Sequence, residues 1–331
     1  MRYLLFPVAA SFFLVAAMVN PAAADPGSAG PATPDPSGTT RAEATFSDGT
    51  GISAESTERM EDYWTPERMS EATPASPPEG AEAGSGAASR STGTDGTPGS
   101  VPSSQPEGDG PSTMVTESDA AGKVFYTNPS DGKDYMCSAS ALNSSSKQMV
   151  VTAGHCVHGG ENGTWMENWT YVPRYREGDR PHGTFYAKQL RTFNGWINDS
   201  NLQWDVAMVT TWPQDGDKLV NVTGGHGLSW NYDRSQDVTV LGYPVNKENG
   251  EIQWWCQGTT QRVNPADGRL ELQCGFGGGA SGGPWLREFD DSSGLGHVNG
   301  VTSTVTSDDW NRSPYFGDAV KDMFDEQGDV T

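Results

Sequence analysis

Three strings in this chain set a histidine, an aspartate and a serine where proton transfer and nucleophilic attack would need them. Val151-Thr152-Ala153-Gly154-His155-Cys156 is an apolar run ending in a small-residue turn that presents a histidine. An imidazole of ordinary pKa, about 6.5, exchanges protons near neutral pH, although a histidine after a strand also serves structural ends. Trp204-Asp205-Val206-Ala207-Met208-Val209 opens an apolar run on a carboxylate. A buried carboxylate needs a partner, and a histidine N–H would be one, fixing the imidazole tautomer in return. The plainer reading is a strand-end aspartate in solvent. Asp199, in a polar Asn-Asp-Ser-Asn turn, is the competing carboxylate. Gly277-Gly278-Gly279-Ala280-Ser281-Gly282-Gly283-Pro284 sets a serine among glycines. Glycines reach backbone conformations closed to other residues. They also let a substrate carbonyl approach main-chain N–H groups that stabilise developing negative charge. As an ordinary feature, the same string is a flexible turn.

These residues need a scaffold, and the texture after about Ala121 supplies one. Short apolar runs alternate with Gly, Asn, Asp and Pro, which predicts strands over Gln148–Thr152, Trp204–Thr211, Asp237–Leu241, Arg269–Gln273, Gly283–Arg287 and His297–Val305. Such spacing reads as an all-β sandwich or barrel. Phe316, Ala319, Val320, Met323 and Phe324 recur near the helical period, predicting one C-terminal helix stopped by Gly328. Cys137, Cys156, Cys256 and Cys274 are an even set. In an exported protein they suggest two disulfides, with three possible connectivities. The sequence-neighbour pairs, Cys137–Cys156 and Cys256–Cys274, are favoured. The short Cys-x2–4-Cys spacing of zinc sites is absent, so no metal is expected.

The first third is different. Residues 1–24 read as a signal peptide: a basic start, an apolar run over Leu4–Val19, and Ala22-Ala23-Ala24 for cleavage. That run is shorter than the ~20 residues of a membrane span, and no later run is apolar enough, so secretion and no membrane contact after cleavage are expected. Residues 25–120 read as a propeptide or low-complexity linker, largely disordered, with 76–113 the barest stretch. Within it Ala54–Met60 and Trp64–Met69 predict short helices, Thr65 capping the second with Pro66 at its first position. The formal net charge of −22 and the lack of Lys/Arg clusters exclude nucleic acid as a partner.

Taken together, the T-A-G-H-C string, the Asp205 string and the S-G-G-P string resemble the chymotrypsin-like serine proteases over residues 121–331, in the same His…Asp…Ser order. Leu241-Gly242-Tyr243-Pro244 is similar to the secreted bacterial branch that includes the glutamyl endopeptidases. The resemblance implies two six-stranded antiparallel β-barrels with the site between them. It also implies a monomer acting on polypeptides without a cofactor, with its own propeptide as a partner. By motif position Ser281 is the nucleophile, His155 the general base and acid, and Asp205 the residue that orients it. The N–H groups of Gly279 and Ser281 form the oxyanion hole. Gly275 and Phe276 line the primary pocket, and Thr302, Ser303 and Thr304 form the edge that binds substrate backbone. No charged residue falls at the pocket positions and no histidine at Thr302, which weakens a glutamyl preference and leaves a small or apolar one.

One departure bears on activation. Ala280 stands where the family usually has the aspartate that pairs with a new N-terminus, so that switch is not expected, and the leader is expected to block the cleft or assist folding instead. Rival readings are an inactive protease-fold binding module, an esterase, and a separate binding role for residues 41–75. The sequence also carries N-x-S/T sequons at Asn143, Asn162, Asn168, Asn198 and Asn221.

Overall fold

The computed structural model describes residues 35–82, 96–107 and 117–331. Residues 1–24, expected to be a signal peptide, lie outside them.

Before Ala121 the chain forms strands β1 (Thr39–Glu43), β2 (Thr73–Pro74) and β3 (Gly99–Val101) and helices α1 (Thr57–Tyr63) and α2 (Pro66–Ser70). The two helices fall where the sequence predicts them. The Thr65 hydroxyl accepts from Arg68 N–H, with Pro66 leading α2.

Six strands follow: β4 (Ala121–Asn128), β5 (Lys133–Leu142), β6 (Met149–Thr152), β7 (Glu167–Pro173), β8 (Phe185–Phe193) and β9 (Ala207–Thr211). Their antiparallel pairings run β4–β5–β6–β9–β8–β7 and return to β4. The ladder therefore closes into a barrel. Helix α3 (Asn194–Asp199) lies between β8 and β9, and α4 (Leu219–Thr223) follows β9 on the way to the second half.

The second half comprises β10 (Gly227–Trp230), β11 (Asp237–Gly242), β12 (Trp254–Thr259), β13 (Gln261–Arg262), β14 (Leu270–Gln273), β15 (Pro284–Asp290), β16 (Leu295–Val301), β17 (Thr304–Val305) and β18 (Trp310–Ser313), with helix α5 (Asp318–Gly328) last. The strands form two sheets, β12-β11-β15-β16-β10-β3 and β13-β14-β18-β17. Both contribute to one core of Val238, Val240, Leu270, Leu272, Phe276, Ala280 and Trp285. The all-β class with a C-terminal helix is thus as expected, although the second half wraps its core with two ladders rather than one closed ring. Val320, Met323 and Phe324 of α5 pack with Leu142, Met149 and Val298 in a further cluster drawn from both halves. A second tie between the halves is Lys123 of β4. Its ammonium is buried, pairs with Glu251 at 2.8 Å and lies 4.5 Å from the Tyr175 ring centroid.

Disulfides join Cys137 to Cys156 and Cys256 to Cys274, the favoured pairs. Three expectations need correction. Trp204 and Asp205 are not on a strand: Leu202–Trp204 is a 3-10 turn and β9 begins only at Ala207. The run His297–Val305 is broken between β16 and β17. Residues 76–113 are not bare throughout, because 76–82 and 96–107 lie against the domain. There β3 pairs with β10, and the Glu82 carbonyl accepts from Leu202 N–H.

The leader is also part of the first barrel's core. Phe46, Ile52, Met60, Trp64, Met69 and Ala75 are buried in one cluster with Phe125, Tyr175 and Tyr186. β1 pairs with β8 along five residues. Trp64 Nε1 donates to Asn168 O at 2.7 Å. Burying side chains of this size contributes roughly 1.5–3 kcal/mol each, enough to hold a segment whose composition elsewhere favours disorder. Asn168 is itself buried, its amide donating to Ser47 and Thr127 hydroxyls, so its sequon is closed to a glycan in this fold.

Candidate active site

His155 sits in the 3-10 turn Gly154–Cys156 directly after β6, a turn tied to β5 by the Cys137–Cys156 bond. Asp205 comes from the turn before β9, the strand that pairs with β6. Neighbouring strands thus deliver the imidazole and the carboxylate to one end of the barrel. Gly154 makes the approach possible: a Cβ there would stand 3.0 Å from Asp205 Oδ1, from Thr192 Oγ1 and from a Trp196 ring carbon.

The pair is tightly bonded. Asp205 Oδ1 accepts the His155 backbone N–H at 2.7 Å, and His155 Nδ1 lies 2.9 Å from Oδ2 and 3.1 Å from Oδ1. Ser303 Oγ donates to Oδ2 at 2.5 Å. Asp205 is fully buried, and each of these donors answers the need of a desolvated carboxylate. Because the carboxylate accepts, Nδ1 carries the proton and Nε2 the lone pair. Nε2 is buried and has no hydrogen-bond partner among the described residues. Asp199, the competing carboxylate, is exposed at the end of α3.

Ser281 enters from the second half, on the loop before β15. Its carbonyl accepts Ser138 N–H at 2.7 Å and lies 3.8 Å from Cys156 Sγ, one residue past His155. The close docking of this loop on β6 needs Gly282, at φ +81°, where a Cβ would fall 2.1 Å from Thr152 Oγ1. Gly282 N–H donates to Thr302 O at 2.7 Å and Thr302 N–H to Gly283 O at 2.9 Å, fixing the serine loop beside residues 302–304. Among the described residues, the N–H groups of Gly279 and Ser281 enter no backbone hydrogen bond. Ala280 is buried in the second core with its Cβ 3.4 Å from where a Gly242 side chain would begin.

Ser281 opens into a cavity of about 250 Å³ lined by Phe276, Gly277, Gly278, Thr302, Ser303, Thr304, Val305 and Asn311. Among the described residues no charged side chain lines it. Of the residues assigned to substrate binding, Thr302, Ser303, Thr304 and Phe276 face this cavity, and Gly275 does not. Gly275 turns at φ +64° and is held by Asp309 O and the Asn246 amide. Phe276 is also clamped by Asn311, which bonds both its N–H and its carbonyl. Sequence reasoning placed Ser303 only on the substrate edge and missed its bond to Asp205. It also missed the cavity's other wall, built from leader residues Ala75, Ser76, Pro77, Pro78 and Ala81.

One cluster of metal-binding residue types exists among the described residues: Cys137, His155 and Cys156. It does not fit a metal, because the two sulfurs are bonded to each other and His155 Nδ1 is engaged by Asp205.

Against known proteins, a family model described as a trypsin-like peptidase domain matches residues 137–292. An extracellular metalloprotease of Bacillus subtilis (strain 168) is 26% identical over 200 residues, 57% of this chain and 60% of that protein. The chain therefore spans less than two thirds of that relative. Among solved structures, protease Anisep from Arthrobacter nicotinovorans is 31% identical, with 65% of this chain and 98% of that one covered and a TM-score of 0.61. The thermostable serine protease AL20 from an extremophilic microorganism is 28% identical, with 65% and 99% covered and a TM-score of 0.61. A Glu endopeptidase shares the fold at 17% identity, covering 72% of this chain and 100% of its own, with a TM-score of 0.54.

Proposed function

The chain belongs to the trypsin-like peptidase family and is a serine endopeptidase, and from that premise we propose that His155, Asp205 and Ser281 are its catalytic triad. The observation that carries the assignment is the His155 ring. Nδ1 is committed to a buried carboxylate, while Nε2 is buried and has no partner among the described residues. Other buried atoms also lack a partner among the described residues, His226 Nε2 among them, but His155 alone of the described histidines has its other ring nitrogen on a fully buried carboxylate. That arrangement is what a general base needs before substrate arrives, since catalytic hydrogen bonds are often long in the free enzyme and tighten on binding.

Ser281 Oγ attacks the scissile carbonyl carbon as His155 Nε2 takes its proton. Asp205 stabilises the imidazolium that results and holds its tautomer. The oxyanion is received by the Gly279 and Ser281 N–H groups, which enter no backbone hydrogen bond among the described residues. Collapse expels the amine with the proton from His155 and leaves an acyl group on Ser281. Water, activated by the same imidazole, then hydrolyses that ester. The chain's own groups carry each step.

The substrates are polypeptides, and the uncharged cavity suits a small or apolar side chain before the cleaved bond. The protein is secreted: residues 1–24 act as a signal peptide, 25–120 as a propeptide, and 121–331 as the monomeric protease domain. This division is supported by Anisep and AL20, which are matched almost whole by 65% of this chain. Among the described residues no helix is long and apolar enough to cross a membrane.

The test is burst kinetics with an activated nitrophenyl ester on leader-cleaved protein. One equivalent of nitrophenol per chain, absent in Ser281→Ala, is expected from an acyl-enzyme. A linear trace without a burst, identical in Ser281→Ala, would overturn the assignment.

A further inference from the structure

We propose that residues Pro74–Glu82 are a tethered inhibitor that covers Ser281, strapped across the cleft at both ends. The proposal rests on the reading of Ser281 as the nucleophile.

One end is fixed where β2 pairs in parallel with β5 at Tyr135 and Met136, continued by Ala75 N–H donating to Met136 O at 2.9 Å. Met136 immediately precedes Cys137, the half-cystine that holds the His155 turn. The other end is fixed where Glu82 O accepts Leu202 N–H at 3.0 Å, three residues before Asp205. Between them Pro78 to Ala81 turns back on itself: Ala81 N–H donates to Pro78 O, with Gly80 at φ +87°. The intervening residues Ser76 and Pro77 wall the cavity into which Ser281 opens. Pro74 also lies against the glycine run, since a Cβ on Gly278 would be 3.1 Å from Pro74 Cβ.

A polypeptide substrate must enter this same cavity, so strap and substrate exclude each other. The strap is also a poor substrate. Proline has no N–H and its ring fixes φ, so the Ser76–Pro77 and Pro77–Pro78 bonds present a ring where the leaving amine must be protonated. Nor is it easily lost, because Trp64 and Met69 anchor the preceding helices in the barrel core.

The experiment is the rate of fluorophosphonate labelling of the full chain, of a P77G/P78G/A81D variant, and of the chain after its leader is cleaved by an added protease. Near-ultraviolet circular dichroism verifies the fold of each, and a second variant, Ala81→Asp alone, serves should the triple variant misfold. Intact wild type is expected to label slowly. Strap variants and cleaved chain should label roughly tenfold faster or more, because apparent reactivity scales with the open fraction. Equal rates in all forms would overturn the strap and leave the peptidase reading standing. No labelling in any folded form would overturn both.

Discussion

Asp205 holds His155 at two points, accepting its backbone N–H at 2.7 Å and facing Nδ1 at 2.9 Å. The first bond fixes the turn and the second fixes the ring. Asp205→Asn would keep a side chain of the same shape but present an N–H₂ where an acceptor is required. The variant should remain folded and lose roughly 10³–10⁴-fold in kcat. Ser303→Ala removes only the hydroxyl donor to Oδ2, so a smaller loss, on the order of tenfold, is expected. Steady-state kinetics on the leader-cleaved protein checks both. Equal losses would deny Asp205 its separate role.

The leader's grip on the barrel can be measured separately. Trp64 is fully buried and its indole N–H is bonded to Asn168 O. Trp64→Ala should lower the full chain's stability by about 3–5 kcal/mol, read as a shift in the urea midpoint. A change below 1 kcal/mol, the scale of a surface substitution, would mean that the leader contributes nothing to the core.

Acid should weaken the fold through His226. Burial, assisted by nearby His297, pushes its pKa down to about 3, and burial pushes that of His158 down to about 4. Both are therefore neutral in the folded state over a range in which the unfolded chain, near 6.5, binds protons. The unfolded state takes up more protons, so stability falls as pH drops from about 6.5 towards these folded values. His226 alone should account for a loss on the order of 4 kcal/mol across that window. His226→Gln, which can still accept the Gly296 N–H that Nδ1 now receives, should flatten the profile. An unchanged slope would place the acid sensitivity elsewhere.

The Cys137–Cys156 bond closes a 19-residue separation and ends at the His155 turn. Replacing both cysteines with alanine should cost about 2–4 kcal/mol and slow acylation of Ser281, since the turn loses its tie to β5. Chemical denaturation and ester kinetics report the two effects independently. A variant of full stability and full rate would show the bond to be dispensable.

The candidate site is legible in the sequence where chemistry demands unusual residues at fixed spacing. Gly154 before His155 and Gly282 after Ser281 are both required by close approaches, and both stand in the strings that carry the histidine and the serine. The wider geometry was less readable. The apolar run Trp204–Thr211 reads as a strand that Asp205 opens, yet the chain stays in a turn until Ala207, which lets the carboxylate reach back to His155. Ser303 lies in a Thr-Ser-Thr row whose composition says nothing of a bond to a residue 98 positions away. The strap was least readable of all. Its prolines, glycine and small residues read as linker because they bury little, but it is held at its ends by main-chain bonds that no composition records.

The central claim is that Ser281 is a nucleophile activated by His155. Its most direct test is to treat leader-cleaved protein with a fluorophosphonate and locate the adduct by peptide mass mapping. A single adduct on Ser281, lost in His155→Ala while that variant stays folded, is the predicted result. An adduct on another residue, or undiminished labelling of Ser281 in His155→Ala, would contradict the account.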